Sequence, residues 1–179
     1  NASSSRAIPI AKALESVAAN PAVPEYWGAN QKGMQAAVEL EGDALAHAKI
    51  IWQQSCDAAI KTVRALDEVN VHKQIASRIV EPWNHITVLA TATDYANFFS
   101  LRAHKDAQPE FQVLAYTMLK AYVTNIPKKM AWGEWHIPFG EQMPDGITVE
   151  NALKVATARA ARLSYKTFEG VIDVAKDIE

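Results

Sequence analysis

The chain has 179 residues, 49% of them hydrophobic, enough to bury one sizeable core and short enough for a single domain over 1–179. Its 18 basic and 20 acidic residues leave a net charge of −2 with no basic block, which excludes a general nucleic-acid surface but allows a local phosphate pocket. No apolar run reaches the length of a membrane span.

The opening residues, Asn1-Ala2-Ser3-Ser4-Ser5, lack an initiator Met and the charged-then-apolar pattern of a secretion signal, and read as the start of an ordered or processed fragment. A helix is expected near Ile10–Ala19, then a loop over 20–33 punctuated by Pro21, Pro24, Gly28 and Gly33. A long helix follows, from Met34 or Gly42 to Glu68, because Leu45, Ala48, Trp52, Cys56, Ala59, Val63 and Leu66 recur at intervals of three and four. Glu41, Asp43, Lys49, Lys61 and Arg64 fall largely off that stripe. Cys56 lies on it and reads as a small core hydrophobe. As the lone cysteine it excludes an internal disulfide and suits a reducing cytoplasm.

A second helix is expected over 71–80, with Val71, Ile75 and Ile79 on one side and Pro82 as its stop. The β-branched, alternating stretch 86–91 reads as a strand. Asp94 is placed to cap a short helix through Leu101, and Asp106 to cap the next, where Pro109 is tolerated in the first turn. Phe111, Leu114, Ala115, Met118, Leu119 and Tyr122 form that helix's stripe, and Pro127 ends it. The irregular stretch 128–146 carries Trp132, Trp135 and Phe139, expected to pack against the body. A last long helix over 149–163 and a closing segment over 171–178 complete the chain. The fold class expected is α+β: a helix-rich domain with a small, mainly antiparallel sheet that includes 86–91.

Common catalytic signatures are missing. There is no glycine-rich phosphate loop, no His-Glu-x-x-His and no nucleophile-elbow serine. The five histidines, His47, His72, His85, His104 and His136, show no metal-ligand spacing, so no metal site is expected. What remains is arginine with polar companions: Arg6 after three serines, Arg78 in Ala76-Ser77-Arg78-Ile79, and Arg102 at the end of an apolar segment. A guanidinium offers a planar fork of donors suited to phosphate or paired carbonyl acceptors, and serine hydroxyls complete such a cradle. Arg102 stands just before Gln108 and Glu110 at the next helix start. Cationic and amide groups converging there suit a flat, anionic, carbonyl-bearing ligand.

Three stretches resemble the flavin-dependent thymidylate synthases, the ThyX family. Within 71–126, about a third of the chain, Arg78-Ile79-Val80 with Pro82, Asn97-Phe98 with Leu101-Arg102, and Ala107-Gln108 with Glu110 match its Arg-Ile-Val-x-Pro, Asn-Phe-x-x-Leu-Arg and Ala-Gln-x-Glu-Ile segments. Phe111 replaces the isoleucine. Asn1, Ser4 and Arg6 resemble the end of the family signature Arg-His-Arg-x-x-Ser-x-Asn-Glu-x-Ser-x-Arg-Tyr, with Ala2 and Ala7 in place of its glutamate and tyrosine. Ala161-Arg162-Leu163-Ser164-Tyr165 is similar to an Ala-Arg-x-Ser segment that ordinary members carry near the amino end. Its position here implies a rearranged order, as in a divergent phage-type branch; the family's upstream Arg-His-Arg and downstream His-x-Ser-Pro-x-Glu-His segments are both absent, which implies a partial chain or lost flavin contacts.

The resemblance implies a cytoplasmic homotetramer with shared active sites. There, reduced FAD, recharged by NADPH, supplies hydride while methylenetetrahydrofolate gives a one-carbon unit to dUMP. It implies that Ser4, Arg6 and Arg78 hold the nucleotide phosphate, and that Arg102, the catalytic residue, contacts the pyrimidine and stabilises charge developing on it. Gln108 falls on the substrate side; Asn97, Asn1 and Glu110 fall on the cofactor side. The alanines at 2 and 7 leave two alternatives: a related flavin-dependent modification of a pyrimidine, or a catalytically silent assembly protein that kept the fold.

Overall fold

The computed structural model describes the chain apart from residues 1, 5, 6, 34, 139–142, 163–173 and 179. Seven α-helices are described: α1 (Ile10–Ala19), α2 (Gly42–Glu68), α3 (Lys73–Ala76), α4 (Ala96–Arg102), α5 (Pro109–Thr124), α6 (Val149–Arg162) and α7 (Val174–Ile178), with a 3₁₀-helix, Ser77–Trp83, continuing from α3.

The core is built by α1, α2 and the α3–3₁₀ run. Ile10, Leu14 and Val17 come from α1; Cys56, Ala59, Ile60 and Val63 from α2; Ala76, Val80 and Trp83 from the run. These residues follow the three-and-four spacing that puts apolar side chains on one helical face. The end of α2 is set by Asn70, whose positive φ of 60° turns the chain, while the Val71 amide donates back to the Leu66 carbonyl at 2.9 Å. Asparagine is one of the few side-chain-bearing residues that accept this conformation readily. His72 then caps α3, its Nδ1 accepting from the Gln74 amide.

The helix expected over 71–80 is real but tightens after four residues and runs through Pro82 to Trp83. In a 3₁₀-helix, residues three apart eclipse one another, so Ser77, Val80 and Trp83 share the buried face. Ile75, expected on the apolar side, is left exposed.

The expected sheet is overturned. No strand occurs among the described residues, which are helical with irregular connections. The stretch 86–91 contributes only one isolated antiparallel bridge, Val88 to Ala2. A second such bridge joins Gly28 to Glu39. Alternating β-branched residues favour a strand only when one face is covered and a neighbour fills the ladder. Here Ile86 and Val88 are exposed, and the bridging partner is the short segment at Ala2 and Ser3.

The loop before α2 is laced onto the core by aromatic and polar contacts. Trp52 lies between Trp27 and Trp83, with ring centroids 6.0 and 5.6 Å away. Its indole Nε1 donates to the Ala22 carbonyl at 3.0 Å, and the Ala22 amide donates to the Trp83 carbonyl at 2.9 Å.

α4 packs on α5 through Tyr95, Phe99 and Tyr122, whose centroids lie 5.6 to 6.2 Å apart. Of the stripe expected on α5, only Ala115 is buried, while Phe111, Leu114 and Tyr122 are about half exposed or more. Trp132 and Trp135, expected to pack, are exposed as well; Phe139 lies outside the described residues. α6 packs on α7, where the buried Asp177 pairs with Arg159 and Arg162. The helix expected over 149–163 is present across Val149–Arg162, with Leu163 outside the described residues, and in the closing segment Val174–Ile178 is helical. No described helix is long and apolar enough to cross a membrane.

Candidate functional site

Arg102, Gln108 and Glu110 lie at the turn between α4 and α5, whereas Asn97 sits in the first turn of α4, at the end where Tyr95 meets Tyr122. α4 carries Asn97 and ends on Arg102; six residues, 103–108, then turn the chain into α5, with Gln108 at its N-cap and Glu110 in its first turn. The chain folds this way for local reasons. Asp94 Oδ1 accepts the Ala96 amide at 2.7 Å and so starts α4, one residue earlier than the formal cap. Pro109 fits the first position of α5, where its missing amide would have no helical partner.

Asp106 does not cap α5, contrary to expectation. Its amide instead donates to His104 Nδ1 at 3.3 Å, and the turn is closed by Gln112 Nε2 donating to the His104 carbonyl at 2.8 Å. The loop ahead of α2 reaches this corner too, through Gln35 Nε2 donating to the Asp106 carbonyl at 3.2 Å.

All four side chains are exposed. The Arg102 guanidinium carbon sits 5.8 Å from the centroid of the Phe111 ring, within the range of a cation–π contact. Phe111, the residue that replaces the expected isoleucine, therefore supports the arginine from below while leaving its outward donors open. Glu110 sits in the first turn of α5, where the helix dipole favours a carboxylate. The α4–α5 turn thus presents a planar cation over an apolar ring, followed by an amide side chain at the N-cap and a carboxylate in the first turn of α5.

Arg78 stands elsewhere, on the exposed side of the 3₁₀-helix, while its neighbours Ala76, Ser77 and Val80 are buried. The anchoring of this helix in the core fixes the backbone from which Arg78 projects. Ser4 is half-buried, and its carbonyl accepts the Ala7 amide at 3.0 Å, closing a turn. Asn1 and Arg6 lie outside the described residues.

The segment holding Ser4 is docked beside the chain that runs from the 3₁₀-helix to α4. The Ser3 amide donates to the Thr87 carbonyl at 2.8 Å, and the Thr87 amide donates to Ser3 Oγ at 2.9 Å. The amino-terminal turn is therefore tied to the connection that leads from Arg78 towards Asn97 and Arg102. Sequence reasoning missed Lys73, whose Nζ donates to the Ala7 carbonyl at 3.2 Å. Its partner lies 66 residues away and is a backbone oxygen, so no motif could have announced it.

Cys56 is fully buried on α2, as its place on the apolar stripe implied. Burial, with a smaller contribution from Asp57, pushes its thiol above the ordinary range. A thiol held protonated in a core is a poor nucleophile. No group of three or more His, Cys, Asp or Glu residues suited to a metal ion occurs among the described residues.

Comparison with curated proteins and with solved structures gives no match. The family model described as thymidylate synthase complementing protein (Thy1) does match, over residues 16–128, a span that runs from α1 through the α4–α5 corner and covers more than half of the chain. The chain belongs to this family, the ThyX family of thymidylate synthases.

Proposed function

We propose that the protein is a flavin-dependent thymidylate synthase that moves a one-carbon unit from methylenetetrahydrofolate to dUMP. The observation that supports this reading is the α4–α5 corner, where Arg102 ends α4 over the Phe111 ring and Gln108 and Glu110 open α5. The donor set fits the ligands. A uracil ring and an isoalloxazine are both flat, rich in carbonyl acceptors and prone to carry negative charge, and a supported guanidinium with neighbouring amides answers all three properties.

Bound FAD, reduced by NADPH, would supply the hydride; the protein's part is to bind, orient and stabilise. Arg102 acts as the catalytic cation, aimed at charge that develops on the pyrimidine. Gln108 orients the same ring. Asn97, Glu110 and Asn1 serve the cofactor. Ser4, Arg6 and Arg78 hold the nucleotide phosphate. No thiol nucleophile is needed, in keeping with the buried Cys56.

The working form is a homotetramer with shared sites, acting in a reducing cytoplasm. Support for assembly comes from α5, a 16-residue helix that exposes Phe111, Leu114, Tyr116, Tyr122 and Val123 and buries only Ala115. Monomeric proteins rarely leave so much contiguous apolar surface in water.

One feature favours a second reading, a related flavin-dependent modification of a pyrimidine. Ala2 stands where the family signature has glutamate, and its backbone pairs with Val88. That place offers a methyl group and no carboxylate.

The test is an absorbance spectrum of the purified protein followed by a tritium-release assay on ring-labelled dUMP with FAD, folate and NADPH. Flavin binding with release supports thymidylate synthesis. Flavin binding without release favours the second reading, and a folded protein that takes up no flavin would indicate a silent assembly protein.

A further inference from the structure

Lys73 opens α3 with a half-buried side chain whose ammonium donates to the carbonyl of Ala7. A lysine on a helix normally keeps its head in water and its rotamers free, and fixing it costs side-chain entropy. The contact contributes nothing to the apolar core, which this run supplies through Ala76, Val80 and Trp83. What it does fix is the end of a turn. The Ala7 amide closes on the Ser4 carbonyl, while just upstream Ser3 makes two hydrogen bonds with Thr87.

Ser3 and Ala7, on either side of the Ser4 carbonyl contact, are thus each tied down, Ser3 by its hydrogen bonds to Thr87 and Ala7 by the Lys73 ammonium. The second tether comes from the same continuous helical run that carries Arg78 five residues on. We propose that Lys73 is a positioning residue that holds the Ser4 turn in register with the run carrying Arg78, so that the nucleotide phosphate meets a preformed cradle. This rests on the nucleotide reading given above and adds to it a residue that need not touch the ligand. Preorganisation of this kind raises affinity by removing the ordering cost that binding would otherwise carry.

The experiment compares wild type, Lys73→Met and Lys73→Arg in the purified protein. Lys73→Met keeps the length of the apolar stem and removes the donor; Lys73→Arg keeps a donor. Binding of dUMP and of deoxyuridine, which lacks the phosphate, is titrated, and exchange of the Ala7 amide hydrogen is followed alongside. Lys73→Met should weaken dUMP binding about tenfold, leave deoxyuridine binding unchanged and speed Ala7 exchange, the tenfold loss corresponding to about 1.4 kcal/mol. Lys73→Arg should restore most of both effects.

Equal losses for the two ligands, unchanged Ala7 exchange in Lys73→Met, or no rescue by arginine would overturn the proposal. Failure of the wild type to bind dUMP overturns the nucleotide reading and the positioning role with it. Ala7 exchange would then still report whether the tether exists, so the two failures are told apart.

Discussion

Arg102 has two properties that decide its part: it ends α4, and its guanidinium rests over Phe111 with the rest of its donors exposed. An exposed terminal arginine adds little to folding, so Arg102→Ala should leave the thermal midpoint within a few degrees of wild type. In the role proposed for it, Arg102 makes charge-assisted hydrogen bonds to the nucleotide, worth about 1.5–3 kcal/mol, so dUMP affinity should fall roughly 10- to 100-fold. Calorimetric titration checks the second outcome and a melting curve the first. Unchanged affinity would remove Arg102 from the site.

Cys56 gives an independent prediction at the same scale. Its thiol is buried and its pKa is raised in the folded state by desolvation and by Asp57. The unfolded chain therefore releases this proton at lower pH than the folded one. The stabilising effect of the neutral, buried thiol is complete below the ordinary thiol range and is lost as pH rises through the folded pKa. Cys56→Ala should flatten the decline in stability on the alkaline side, as read from urea midpoints at a series of pH values. Alkylation of the native protein should be slow and should speed up only under unfolding conditions.

At the scale of elements, α2 was legible in the sequence because 27 residues of three-and-four spacing leave little room for another structure. Val63, at the centre of that face, is 1% exposed. Val63→Ala should cost about 1–3 kcal/mol through lost burial and residual cavity, measurable from the urea midpoint. The stretch 86–91 was misread for a physical reason. Alternation of Ile86 and Val88 with polar neighbours signals a strand only if a partner covers it, and whether one does is a tertiary fact.

The stripe on α5 shows the same gap in another form. Phe111, Leu114 and Tyr122 are spaced for burial, yet within one chain their side chains remain open. The α4–α5 corner was legible as an arrangement in sequence, since Arg102, Gln108 and Glu110 are separated only by a short turn. The Lys73 contact with Ala7 was not, because it joins a side chain to a distant carbonyl that carries no sequence signal.

At the scale of the whole molecule, the two arginines proposed for the nucleotide stand on different helical packings. Arg78 is anchored to the α1–α2 core, whereas Arg102 belongs to the α4–α5 pair. The proposed homotetramer would bring both to one site by apposition of subunits along the open face of α5. Leu114→Glu, on that face and 50% exposed, should leave helical content intact while dissociating the assembly, as read by light scattering after size exclusion. A variant that keeps its full mass would place the subunit contact elsewhere.

The most direct measurement is tritium release from ring-labelled dUMP by purified protein supplied with FAD, NADPH and methylenetetrahydrofolate. Release that depends on every component and disappears in Arg102→Ala is the result expected of a synthase whose catalytic cation sits at the α4–α5 corner. Folded, flavin-loaded wild-type protein that releases no tritium, or an Arg102→Ala variant that releases it at the wild-type rate, would contradict that assignment.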